Sequence, residues 1–133
     1  IEIQLQFTNI ESNYLNVISA SVISKKQTYQ MSGSVFSDNK PRLVNILGRE
    51  MEVTPAGTML LLENDDVPGV IGRIGTLLGE LGINIAAYLL NRGHENGKAF
   101  AVIRLDNALG QDNIDTLRKL SVVKWVKQIQ VLS

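Results

Sequence analysis

Apolar and polar residues alternate from Ile1 to Phe7, from Ile18 to Ile23 and from Tyr29 to Phe36, the period-two pattern of half-buried strands. Lys25-Lys26-Gln27-Thr28 breaks the pattern between the second and third runs. Ser37-Asp38-Asn39-Lys40-Pro41 supplies turn residues before Arg42 to Leu47 and, past Gly48, Glu50 to Val53. This half predicts an all-strand meander, and Thr54-Pro55-Ala56-Gly57 punctuates its end. We place a domain boundary there, giving residues 1–55 and 56–133.

Beyond the boundary the pattern becomes strand, helix, strand, strand, helix, strand. Thr58-Met59-Leu60-Leu61-Leu62 is a continuous apolar run, as for a strand covered on both faces or facing a helix layer. Asn64-Asp65-Asp66-Val67-Pro68-Gly69 ends that strand and opens a helix. In it Val70, Ile71, Ile74, Leu77, Leu78 and Leu81 recur at helical spacing, and Gly82 stands where a C-terminal cap belongs. Ile83 to Leu90 and Ala99 to Leu105 read as strands joined by the turn-rich Asn91–Gly97. Asp112 to Leu120 is a short amphipathic helix with Ile114, Leu117 and Leu120 inward, and Val122 to Leu132 closes the order as a strand. An antiparallel sheet with two helices on one face packs such an order most economically, an α+β fold.

Composition narrows the function. The 13 Lys+Arg balance 13 Asp+Glu in 133 residues, so no basic stripe is available for a phosphate backbone, which argues against nucleic acid. Cysteine is absent and histidine occurs once, at His94, leaving neither a disulfide framework nor a zinc site; His94, in a polar turn, reads as a solvated loop residue. Apolar runs fall well short of the roughly 20 residues of a membrane span, and the setting expected is cytoplasmic. A chain that opens on Ile1 inside a strand pattern reads as an excised fragment. No nucleophile stands beside a plausible base, so catalysis is not expected.

Gly69, Gly72 and Gly75 are spaced G-x-x-G-x-x-G rather than G-x-G-x-x-G, which points to close approach of the helix to the sheet or a partner rather than to a dinucleotide. Asp66 has two readings, a helix cap or a ligand for an ammonium, while Pro68 suits a first helical turn. Free backbone N–H groups at the helix start would suit a carboxylate. The amide of Asn84, in Ile83-Asn84-Ile85-Ala86-Ala87, needs a partner if buried. We expect Asn64, Asp66 and Asn84 to converge where the helix start meets two strand ends. Trp125 and Phe100 read as packing residues, and Lys40, Arg42 and Arg49 as either a small anion site or solvated surface.

Asp66-Val67-Pro68-Gly69-Val70-Ile71-Gly72, with Gly75-Thr76-Leu77-Leu78-Gly79 and Ile83-Asn84-Ile85-Ala86-Ala87, resembles the ACT domain of D-3-phosphoglycerate dehydrogenases. Gly33-Ser34-Val35-Phe36, Pro41-Arg42-Leu43-Val44 and Pro55-Ala56-Gly57-Thr58 look like the end of the allosteric substrate-binding (ASB) domain that precedes it in long-chain members. The resemblance implies a ferredoxin-like βαββαβ ACT domain at 56–133 behind a mainly β partial ASB domain at 1–55. It also implies a regulatory fragment that binds L-serine or a similar small amino acid and self-associates through its ACT domains, with NAD confined to catalytic domains lying elsewhere in the parent. Effector contacts carried over are Asn64, Asp66, Asn84 and the backbone of Val67, Pro68, Gly69 and Val70; Arg42 is the possible anion contact. Asn64 stands where the family often has histidine or tyrosine, and Asp65 where it has an apolar residue. Alternatives are the equivalent region of an iron–sulfur L-serine dehydratase beta chain and an oligomerisation module without ligand.

Overall fold

A computed structural model describes residues 2–7, 18–23, 28–35, 40–92 and 97–131. His94 lies outside the described residues. The chain divides into two compact units, Ile1–Pro55 and Ala56–Ser133.

The first unit is a five-stranded antiparallel meander of β1 (Glu2–Phe7), β2 (Ile18–Ile23), β3 (Thr28–Val35), β4 (Pro41–Ile46) and β5 (Arg49–Val53), paired in chain order. Met31, Val44, Ile46 and Val53 are buried in it. The β4–β5 hairpin turns on Leu47 and Gly48, both at positive φ (53° and 84°), and the Asn45 side chain accepts a hydrogen bond from the Gly48 N–H at 3.0 Å. Positive φ at both central positions matches the right-handed twist of a two-residue hairpin, at some steric cost to Leu47.

The second unit runs β6 (Thr58–Asp65), α1 (Val70–Glu80), β7 (Ile85–Asn91), β8 (Lys98–Leu105), α2 (Gln111–Arg118) and β9 (Val123–Gln130). Its sheet has the order β7-β8-β6-β9 with every neighbouring pair antiparallel, which is the ferredoxin-like arrangement expected from the sequence. Leu60 and Leu62 of β6 join Ala101, Ile103 and Leu105 of β8, Val70, Ile74 and Leu78 of α1, and Ile114 and Leu117 of α2 in one core. Each fully buried Leu, Ile or Val side chain of that set contributes about 1.5–3 kcal/mol. Met59 and Leu61, pointing the other way, are buried too, which accounts for the unbroken apolar run of β6. The helix face is narrower than its periodicity suggested, because Ile71 is 50% exposed.

Helix α1 ends in a Schellman turn. Gly82 sits at φ 74°, its N–H donates to Gly79 O, and the Ile83 N–H donates to Leu78 O. A left-handed residue at this point is what glycine supplies at least cost. Of the two roles expected for the glycines within α1, close approach to the sheet does not hold: a Cβ at Gly72 or Gly75 would meet nothing within 4 Å, so neither is needed for close packing inside this chain.

Candidate functional site

β6 and β7 run parallel with β8 between them, so their C-terminal ends lie at the same edge of the sheet, next to the start of α1. A pocket of about 350 Å³ opens there, lined by Asn64, Asp66, Val67, Pro68, Gly69, Val70, Ile71, Gly72, Leu90 and Arg92. Six of the seven effector positions carried over from the sequence are thus in one place.

Asn64 is the pocket's buried polar residue. β6 extends three residues beyond the apolar run, so Asn64 belongs to the strand rather than to the loop expected, and it is 3% exposed. Pairing continues because Asp65 faces Lys98 in register and its N–H donates to Val122 O at 2.8 Å. The Asn64 Nδ2 donates to Asp65 O at 2.7 Å, which fixes the amide orientation, since a carbonyl requires the nitrogen there. Oδ1 is left buried without a hydrogen-bond partner. An acceptor in that state is costly unless a donor arrives from elsewhere.

The helix start beside it carries no side-chain cap. Its N-cap is Gly69, at φ 88°, and the first turn holds no acidic residue. Asp66 therefore does not cap α1, and Pro68 precedes the N-cap instead of occupying the first turn; the left-handed Gly69 turns the chain into the helix one residue later than expected. The first N–H groups of the helix, from Val70 on, precede the ladder that opens with Arg73 N–H to Gly69 O at 3.0 Å. Such an end attracts a carboxylate through both its unused donors and its dipole.

Asp66 instead pairs with Arg92, whose Nε lies 3.1 and 3.3 Å from the two carboxylate oxygens. Its backbone is held by an N–H donated to Gly97 O at 2.8 Å. Arg92 went unnoticed in the sequence, where Asn91 to Gly97 reads only as a connection. The signal available was topological, since the strand order puts the end of the second strand beside the end of the first.

Asp65, one residue before, clamps three strands. Its carboxylate meets Lys98 on β8 and, at 3.2 Å, Lys124 at the start of β9. The hydrogen bond from Lys98 does most to hold this carboxyl below its ordinary range, supported by the bond from Lys124 and the charge of both lysines against the opposing effect of desolvation.

Asn84 departs from expectation. It is exposed, its Nδ2 donates to the Asp106 carboxylate at 2.7 Å, and its carbonyl accepts from Asp106 N–H. It precedes the start of β7, where Ile85 pairs with Leu105 and Leu105 with Thr58, at the end of the sheet opposite Asn64. Six residues of strand separate Thr58 from Asn64, about 20 Å at 3.3 Å per residue. The three polar residues therefore do not converge within one chain, because β7 starts where β6 starts. Among the described residues, Lys40, Arg42 and Arg49 are not all brought to one place either. Arg42 donates to Lys40 O, whereas Arg49 pairs in register with Ile46, four residues along β4 from Arg42.

A second buried polar atom without a hydrogen-bond partner is the hydroxyl of Tyr88 on β7. Burial pushes its phenol up to about 12. Among the described residues no group of three or more His, Asp or Glu could hold a metal ion, and no helix is long and apolar enough to cross a membrane.

The ACT domain family matches residues 58–121, the second unit from the start of β6 to just past α2. The D-3-phosphoglycerate dehydrogenase of Methanocaldococcus jannaschii is 29% identical over 121 residues, covering 91% of this chain and 23% of that protein. Its counterpart in Bacillus subtilis is 29% identical over 126 residues, covering 95% of this chain and 24% of its own length. The Mycobacterium tuberculosis protein of the same name is 35% identical over 83 residues, 62% of this chain and 16% of that protein. The chain spans about a quarter of the length of the relatives it matches over most of its own. The second unit carries an ACT domain, and the chain as a whole is similar to about a quarter of the length of the D-3-phosphoglycerate dehydrogenases.

Proposed function

We propose that this chain is the serine-sensing part of an NAD-dependent D-3-phosphoglycerate dehydrogenase, the first enzyme of serine biosynthesis, with NAD and catalysis belonging to other domains of the parent. The first unit, residues 1–55, is the end of an ASB domain, and Arg42 is its candidate anion contact. The pocket at the start of α1 takes a small amino acid, L-serine by resemblance to the family. One observation carries this reading: the buried Asn64 Oδ1 lacks a donor and lines a pocket that also holds a carboxylate, Asp66, and an uncapped helix start. An α-amino acid supplies the missing donor through its ammonium and a carboxylate for the helix end.

Asn84 enters through a second copy. Placed about 20 Å away in its own chain, it reaches the pocket only if ACT domains meet side by side with ligand in the seam. Val67 and Ile71, 49% and 50% exposed at the pocket's rim, are the apolar surface such a neighbour would cover. Titration calorimetry with L-serine, using D-serine as control, tests the proposal. Saturable heat with the L enantiomer alone supports it, and equal heats or none with both refute it.

A further inference from the structure

Asp66 and Arg92 form an ion pair inside the lining of this pocket, and the two halves of the pair are unequal. Asp66 is the sheltered half, with a side chain 26% exposed on a backbone pinned to Gly97, while Arg92 is 72% exposed at the end of β7. An exposed pair of this kind is worth little, so exchanging its cation costs little. We propose that Arg92 is the residue that makes the pocket select zwitterions. The proposal rests on the reading that the pocket binds a small amino acid, and it adds which charges the ligand must carry.

Charge balance decides what the pocket accepts. Asp66 already has a cation, so an incoming amine that takes Asp66 displaces Arg92 and leaves the guanidinium without a partner at the pocket's mouth. An incoming acid that draws Arg92 away leaves Asp66 unpaired in a sheltered position beside the orphan Asn64 oxygen. A ligand bearing both an ammonium and a carboxylate satisfies every group at once. Its ammonium takes Asp66 and the Asn64 Oδ1, and its carboxylate takes the released guanidinium together with the N–H groups at the start of α1. Four charges then pair as two pairs, and none is left over. Arg92 suits this part because its planar fork binds carboxylates well and its exposed side chain has no packing role to lose.

The test compares L-serine with two molecules that each lack one of its charged groups: ethanolamine, without the carboxylate, and 3-hydroxypropionate, without the ammonium. Each is titrated at low salt into the 133-residue chain, into Arg92→Ala and into Arg92→Lys, with thermal melting recorded in parallel. The wild type should prefer L-serine to either probe by about tenfold or more, the worth of one charged hydrogen bond. Arg92→Ala should lose about tenfold in serine affinity and bind ethanolamine more tightly, because Asp66 no longer has a competing cation, so the preference collapses at unchanged melting temperature. Arg92→Lys, which keeps the charge, should retain most of it. A wild type that binds serine and an Arg92→Ala variant with the same preference would overturn the role of Arg92 and leave the amino-acid site standing. A wild type silent toward all three probes would overturn the amino-acid reading itself, and this proposal with it.

Discussion

Replacing Asn64 with leucine separates a residue kept for binding from one kept for the fold. The two side chains have the same number of heavy atoms, so the change leaves no large cavity. In the folded chain Asn64 carries one unpaired buried oxygen, costing about 1–3 kcal/mol, and one hydrogen bond from Nδ2 to Asp65 O, worth about 0.5–1.5 kcal/mol. Removing both therefore stabilises, by roughly 1 kcal/mol. Asp65 O is not orphaned by the change, because it also accepts the Val67 N–H at 3.0 Å. Trp125, the single tryptophan, lies on β9 with its ring centroid 5.9 Å from that of Phe100, so its fluorescence during urea unfolding reports this unit. We expect Asn64→Leu to unfold at higher urea and to lose L-serine binding by at least about tenfold. That pair of results would be the stability–function trade-off expected of a site left unsatisfied for a ligand. A variant destabilised by more than about 1 kcal/mol that still binds serine normally would refute the reasoning.

Leu78 is fully buried in the core beneath α1, and Leu78→Ala should lower stability by about 2–5 kcal/mol in the same urea assay. A glycine inside α1 and the one that ends it should respond oppositely: Gly75→Ala, facing open space, gains up to about 1 kcal/mol, whereas Gly82→Ala, at φ 74°, loses about 1–2 kcal/mol. A carboxyl depressed below its ordinary 3.8 contributes stability that is present at neutral pH and lost as pH falls below that value. Asp65→Asn should accordingly flatten the decline in urea midpoint below about pH 4 relative to wild type.

The element order was legible because each strand and helix of the second unit has its own period, and the Schellman turn because a glycine follows the last helical leucine. The extension of β6 through Asn64 and Asp65 was not. It depends on Lys98 and Lys124, which are distant in sequence and meet the Asp65 carboxylate only once β8 and β9 flank β6. The pocket's lining was largely readable from the Asp66–Gly72 motif, while the partner of Asp66 was hidden in a stretch that looks like an ordinary connection. The position of Asn84 failed for a topological reason. A residue before the start of β7 and one at the end of β6 cannot share an edge when those two strands run parallel. Local pattern shows which face a residue occupies, and only strand direction shows which end.

The central claim, that a small amino acid binds at the start of α1 between two copies of this domain, is tested most directly by mapping amide shifts in nuclear magnetic resonance spectra as L-serine is added. The account predicts saturable shifts from Asn64 and along Asp66 to Gly72, together with the side-chain amide of Asn84 at the far end of the same sheet, all with one dissociation constant. Shifts at the pocket without Asn84 would contradict the two-copy site, and no saturable shift at the start of α1 would contradict the claim as a whole.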